Sequence, residues 1–292
     1  MLKRSNHFPR SAGLLLPLFS VPEDRGPGTL HGAQSVVRWM ASAGIRWWQM
    51  LPLTLPDSTG SPYASPSTIG WGWHIISRED LVARGWVTTM PKNVPRRNDR
   101  RGWDRFQRSL LLSAWKQFSV LATPAERKSF AAFCRAERSW LDRQARFLAL
   151  RDRFGDRPWW TWPKHYRYYE QAITITDERL RQRMDFHRWV QWVADQQWQE
   201  FRAFAHQHHV RIIGDVPFFV RADSVAVWSQ PELFAIEGNG RLQRGVGAPP
   251  DPFAKEGQWW GNPAYNWPAH TASGFAWWRR RLAWAERQYD AV

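Results

Sequence analysis

Cysteine is almost missing from the 292-residue chain: Cys134, set among Ala132, Phe133 and Ala136, stands alone. One thiol excludes an intrachain disulfide framework and a cysteine-based zinc site, and it points to a reducing compartment, the cytoplasm. No run approaches eighteen apolar residues, so no transmembrane helix and no membrane partner is expected. Lysine is scarce too, at six of 41 basic residues. The basic excess over 26 acidic residues gives a net charge of +15, which is the electrostatic footprint of a nucleic-acid binder. The arginines are nonetheless scattered, mostly through helical stretches, and no block of five or six forms a basic tail. Together with 22 tryptophans they fit the coding bias of a GC-rich genome, and nucleic acid is not expected as a partner.

Familiar catalytic signatures are also missing. "SVPEDRGPG" after the first strand does not match GxGxxG, and no GxxxxGK[ST], GxSxG or HExxH occurs. Nucleotide binding and serine or zinc hydrolysis lose their usual support. Lys3, Arg4 and Arg10 before "SAGLLLPLFSVP" imitate a signal peptide. That apolar run is brief, contains Pro17 and lacks a small-x-small cleavage site.

Gly13 to Leu18 reads instead as a buried first strand, ended by Pro22. Residues 31–44 read as a helix with Val36, Val37, Met40 and Ala43 at helical spacing and Gly44 at its C-terminal cap. Ile45 to Leu53 is the next strand, which completes a βαβ unit and a right-handed crossover. A Ser-, Pro- and Gly-rich loop follows to His74. Helices fill 105–154, with Leu111, Trp115, Phe118 and Leu121 on one face and Phe130, Phe133, Trp140, Leu141 and Phe147 on another. A long amphipathic helix covers 178–209. Its His206, His208 and His209 favour the helix dipole without a metal, since no acidic residue sits at ligand spacing. Val210 to Gly214 is a third strand with Asp215 at its tip, and Asp223 reads as the N-cap of a short helix. Residues 274–288 form a last helix with Phe275, Trp278 and Leu282 aligned, and "YDAV" opens a fourth strand.

This α/β alternation is the grammar of a (β/α) barrel, whose sites use the loops after the strands; a doubly wound sheet shares it. The expected division is 1–88 for the first part of the barrel, 89–176 for an inserted helical lobe and 177–292 for the barrel's continuation. What chemistry remains is carboxylate and aromatic. Asp215 at a strand tip is either bonded to nearby backbone or used. "PPDPFAKEGQWWGNPAYNW" (249–267) reads as a loop that places Phe253, Trp259, Trp260, Tyr265 and Trp267 beside Asp251 and Asn262. Rings that stack on a pyranose face and polar groups that bond its edge make a sugar site. The same rings are also what a core beneath a loop would use.

Four stretches then resemble a known family: "IRWWQMLPL" (45–53), "SPYASPS" (61–67), "IIGDVPFFVRADSVAVWSQPELF" (212–234) and "GAPPDPFAKEGQWWGNPAYNW" (247–267). They are similar to the amylomaltases, the 4-alpha-glucanotransferases of glycoside hydrolase family 77 in the alpha-amylase clan. The likeness runs in order from about residue 11 to the last residue and is loose between 90 and 175. The resemblance implies a (β/α)8 barrel with inserted lobes, carried here through three to four strands. It implies transfer of α-1,4-glucan segments to an acceptor sugar with retention of configuration, in the cytoplasm, with no metal or organic cofactor. Maltooligosaccharides are the implied partners. Retention uses a nucleophilic and an acid/base carboxylate about 5 Å apart and a glycosyl-enzyme intermediate.

Residue by residue, Tyr63 matches the family's tyrosine stacked on the sugar beside the scissile bond, and Asp215 the Asp of "GDxP" near it. Asp251, Phe253, Trp260 and Asn262 match the glucan-binding loop over the cleft, with Pro252 where the family commonly has Tyr. In the family a helix ending "YDxV" runs into Arg-x-Asp-His-Phe, whose Asp is the nucleophile. Here "YDAV" occupies 289–292, so the nucleophile, its preceding Arg, the acid/base Glu and a third Asp have no counterparts. The expectation is a chain without transferase activity by itself, weakened by an unpaired strand edge and exposed apolar helix faces. A non-catalytic glucan-binding remnant and a basic nucleic-acid binder are the alternatives.

Overall fold

A parallel sheet of three strands, in the order β1-β2-β3, sets the frame of the molecule. The structure, a computed structural model, describes residues 10–292 apart from 24–25, 58–59, 92, 97 and 176. Lys3, Arg4 and parts of the two loops after β1 and β2 lie outside the described residues. β1 spans Ala12–Leu15, β2 Ile45–Gln49 and β3 Arg211–Ile213. Leu14 lies opposite Trp48, and Trp48 opposite Ile212. Ala291 bridges in parallel to Ile213, so "YDAV" starts to pair where a fourth strand belongs.

The expected strands are present but shorter. Pro52 lacks an N–H, and β2 gives way to extended chain in which Met50 still donates to the Ile213 carbonyl at 3.0 Å. The first strand is not buried: Ala12, Gly13 and Leu15 are exposed because β1 is an edge of the sheet, while Leu18 reaches the core from a following 3-10 turn. Helix α1, Leu30–Ser42, returns the chain between β1 and β2, with Thr29 as N-cap and Gly44 at φ +73° just past its end. It buries Val37 and Met40, as the spacing predicts; Ala43 stays exposed.

Between β2 and β3 come α2 (Arg78–Ala83), α3 (Arg100–Leu121), α4 (Pro124–Ala136), α5 (Arg138–Phe154), α6 (Lys164–Arg167), α7 (Tyr169–Ala172) and the 30-residue α8 (Glu178–Gln207). Thr123 and Glu126 make a reciprocal capping box at α4. Many tryptophans are packing: Trp86, Trp115, Phe118, Phe130, Trp189 and Trp192 form one ring-on-ring cluster under the helices. Leu121, expected on that face, is exposed, because the helix ends there and Ala122 turns the chain away. Two glutamines of α8 act as substitute strands. Gln191 both donates to and accepts from the Trp71 backbone at 2.7 Å, and Gln197 accepts from Ser77 N at 2.7 Å. The histidines at the end of α8 have an acidic neighbour that lies distant in sequence: His206 Nε2 is 2.9 Å from Asp290, whose Oδ1 also accepts from Arg202 at 2.9 Å. Among the described residues no three His, Cys, Asp or Glu groups stand together as a metal site would need.

After β3 the chain forms α9 (Val225–Ser229), an antiparallel hairpin of β4 (Gly245–Ala248) and β5 (Gln258–Pro263), then α10 (Trp267–Ala272) and α11 (Ala276–Gln288). Three expectations change here. Ser224, not Asp223, caps α9; the buried Asp223 accepts from Arg151 at 2.8 Å and Trp159 N at 3.2 Å, and a carboxylate so engaged is not available to a helix end. The aromatic loop is largely a two-stranded ladder. In α11 the inward face is Trp277, Arg281, Trp284, Ala285 and Gln288, while Phe275 and Leu282 are exposed. An arginine in the buried stripe is what hides that face from a hydrophobicity pattern. No described helix is long and apolar enough to cross a membrane.

Candidate functional site

The loop after β2 is bent back on itself by Asp57. Its Oδ1 accepts from Gly60 N at 2.8 Å and Ser61 N at 3.0 Å, with Gly60 at φ +89°. Pro62 then opens a 3-10 turn, Pro62–Ala64, that carries Tyr63. The next residues fasten this turn to α9, where Val225 N donates to the Pro66 carbonyl at 2.8 Å.

At the tip of β3, Gly214 precedes Asp215. A Cβ on Gly214 would lie 2.2 Å from the Tyr289 ring, so the strand end tolerates no side chain there. Asp215 is thereby placed facing Tyr63, whose hydroxyl donates to its Oδ2 at 2.7 Å. The partial burial of Tyr63, then the bond to Asp215 and its charge, push the phenol up to about 12. Tyr63 therefore stays a donor across the physiological range, and the carboxylate keeps its remaining lone pairs for other hydroxyls.

The segment 215–219 joins this pair to the hairpin. Pro217 O accepts from Arg281, and Phe218 O accepts from Tyr265 at 2.6 Å. The Phe219 ring lies 5.9 Å from Trp260 and is stacked at 6.1 Å on Tyr265. Tyr265 is thus core. The outward rings are Trp260, 45% exposed, Trp259, 70%, Trp267, 48%, and Phe253, 97%. Gly245 makes room for Trp259, since a Cβ there would meet its ring at 2.0 Å.

Of the six residues singled out in the sequence, the structure joins Tyr63 and Asp215 directly and links Trp260 to them through Phe219. Asn262 sits in the ladder opposite Val246, beside Trp260 in β5. Asp251 shapes the hairpin tip: its Oδ1 accepts from Phe253 N at 2.8 Å and Ala254 N at 2.6 Å. Phe253 projects into solvent from that tip. No hydrogen bond printed by the geometry of the described residues joins Asp251, Phe253 or Asn262 to Asp215.

Sequence reading missed Arg281. Its side chain is 1% exposed, lies over the Trp277 and Trp278 rings at 5.3 Å each, and leaves Nε and Nη1 without an acceptor among the described residues. Burial pushes its guanidinium down to about 10, while Tyr265 and the nearby Asp215 charge act the other way. The cluster these contacts define holds one carboxylate and aromatic faces, with no nucleophile–base pair. It is suited to holding a neutral polyhydroxylated ligand. A cavity of about 820 Å3 lies behind the Tyr63 loop, lined by Trp73, His74, Trp103 and Arg108 among others, but neither Tyr63 nor Asp215 lines it.

The 4-alpha-glucanotransferase family model matches residues 16–292. The chain belongs to that family. The 4-alpha-glucanotransferase of Thermus thermophilus is 38% identical over 287 residues, which is 97% of this chain and 57% of that protein. The Synechocystis enzyme is 34% identical over 288 residues, 96% of this chain and 57% of its own length. Among solved structures, the amylomaltase from Streptococcus agalactiae in complex with acarbose superposes with a TM-score of 0.88 at 31% identity, covering 97% of this chain and 58% of that one. The fold of this glucanotransferase chain is therefore of the barrel type seen in amylomaltase. The chain spans about 57% of the length of the curated relatives named here.

Proposed function

We propose that this chain binds α-1,4-glucans across Tyr63, Asp215 and the exposed hairpin rings, as the sugar-holding part of a 4-alpha-glucanotransferase. The observation that carries this reading is the 2.7 Å bond between Tyr63 and Asp215, with a half-exposed Trp260 tied through Phe219 to the same strand tip. A pyranose has an apolar C–H face and a hydroxyl rim; rings cover the face and a carboxylate accepts from the rim. Acarbose in the Streptococcus agalactiae amylomaltase is a ligand of the class this reading assigns here. Asp251, Phe253 and Asn262 belong to the same glucan-binding element, and Pro252 leaves it one ring short.

In the whole reaction a glucan segment passes to an acceptor sugar with retention, through a glycosyl-enzyme intermediate, without metal or organic cofactor. In the family pattern the nucleophile and acid/base carboxylate follow the position of Val292, so this chain holds sugar without cleaving it. Residues 89–176 act as a lobe set into the barrel, and the lone Cys134 fits a cytoplasmic setting. Maltotriose titration should quench tryptophan fluorescence saturably, and a flat titration refutes glucan binding. Disproportionation of maltotriose by this chain would refute its inactivity. Salt-sensitive binding to DNA with no sugar binding would move the function to the basic surface.

A further inference from the structure

Arg143 of α5 and Arg280 of α11 converge on one neutral atom. Arg143 Nη1 donates to Gln230 Oε1 at 3.1 Å, and Arg280 Nη2 donates to the same oxygen at 3.0 Å. Neither guanidinium makes an ion pair with a carboxylate among the described residues. The chain carries 41 basic and 26 acidic residues, so unpaired arginines are unavoidable. Ordinarily they point apart into water, where like charges repel least. These two are instead aimed at each other across the junction of three elements. Arg143 is fixed from behind by the face of Tyr169, 5.3 Å from its Cζ. Gln230 is held in turn, because its N–H donates to the Ala226 carbonyl at the end of α9. Burial and the charge of Arg143 lower the affinity of Arg280 for its proton.

We propose that Arg143, Arg280 and Gln230 form a binding site for a tetrahedral oxyanion, a phosphate group either free or esterified to a sugar. Each guanidinium spends one N–H on the Gln230 oxygen and has further donors in a planar fork, the geometry that takes two oxygens of a phosphate. The Gln230 oxygen stands where an anion's oxygen would stand, and it holds the two forks in place while the site is empty. Gln230 is followed by the turn Pro231–Leu233, whose Glu232 and Leu233 carbonyls accept from Asn266 next to Trp267. An anion here would tie the helices of the 89–176 region to α11 at the root of the aromatic element. The inference does not depend on the glucan reading.

The test is thermal unfolding of the full chain with inorganic phosphate or glucose 1-phosphate, against sodium chloride at equal ionic strength. The parent's melting temperature should rise by about 2–4 °C at a tenfold excess over the dissociation constant. R280Q and R143Q should each abolish the rise. R280K keeps the charge and loses the fork, so it should bind phosphate about tenfold more weakly; it also serves should R143Q fail to fold. A rise with both ligands identifies free phosphate as sufficient, and a rise with glucose 1-phosphate alone identifies the ester as the ligand. No rise above the chloride control, or an equal rise in R280Q, overturns the proposal.

Discussion

Tyr63 and Asp215 are 152 residues apart in sequence and share one proton between two oxygens 2.7 Å apart. A hydrogen bond to a charged group contributes about 1.5–3 kcal/mol when its surroundings are partly dry, and less at a site this open. Tyr63→Phe keeps the ring and removes the proton. Maltotriose binding, read by tryptophan quenching, should weaken roughly 5–30-fold, with the melting temperature nearly unchanged. Unchanged affinity would mean that the pair is structural only. Arg281 poses a different problem, because a charge 1% exposed and without a carboxylate partner is costly. Methionine would remove that cost but leave the Pro217 carbonyl unmet, at about 1–3 kcal/mol. Arg281→Met should therefore alter stability little while loosening the segment that carries Asp215, with maltotriose affinity falling about tenfold. In an Asp215→Asn background the same change should add little further. Full additivity of the two losses would show that Arg281 acts elsewhere. Arg281 could not have been found by periodicity, since an inward arginine contradicts the pattern being sought, whereas Asp215 was legible from its place at the end of a buried run.

At the scale of elements, β2, β3, α1 and α8 were legible because their periods and caps agree. The hairpin was not, since Pro, Gly and Asn in 245–263 read as loop chemistry. Its glycines are what build the ladder. A Cβ on Gly247 would lie 1.9 Å from the Gln258 carbonyl oxygen, and one on Gly257, at φ +71°, 2.6 Å from the Ala248 carbonyl oxygen. Both contacts are with backbone, which cannot swing aside. Gly247→Ala should cost about 1–3 kcal/mol locally and undo the register that pairs Gly247 with Trp259. Near-UV circular dichroism should lose part of its tryptophan signal, and amides of β5 should exchange faster with solvent. Protection equal to the parent's would show that the close approach is relieved by a small shift. The first strand misled in the other direction: "GLLLPL" is apolar enough for a fully buried strand, yet β1 lies at the sheet edge, and a single sequence does not reveal which strands end a sheet.

For the whole molecule, acid is the informative stress. Burial, and then the Arg100 charge, lower the His74 imidazole from 6.5 to about 4. The unfolded chain therefore binds a proton at this position between pH 6.5 and 4 that the folded chain refuses. Stability falls as pH drops through that window and is insensitive to this group above it. The full shift corresponds to on the order of 2–3 kcal/mol. Asp152 and Asp290 act in a lower window. Burial raises each, but His187 with Arg108 and Arg183 outweighs it for Asp152, and His206 with the Ile212 N–H and Arg202 outweighs it for Asp290. Both carboxylates are held below their ordinary values, so their stabilisation is intact above the unfolded value and is lost only as pH falls through the folded one. The melting temperature should decline in two stages, one from about pH 6.5 to 4 and a steeper one below pH 4. His74→Gln has no proton to refuse and should flatten the first stage while leaving the second. If the first stage survives in that variant, His74 is not its source and another group must carry the decline.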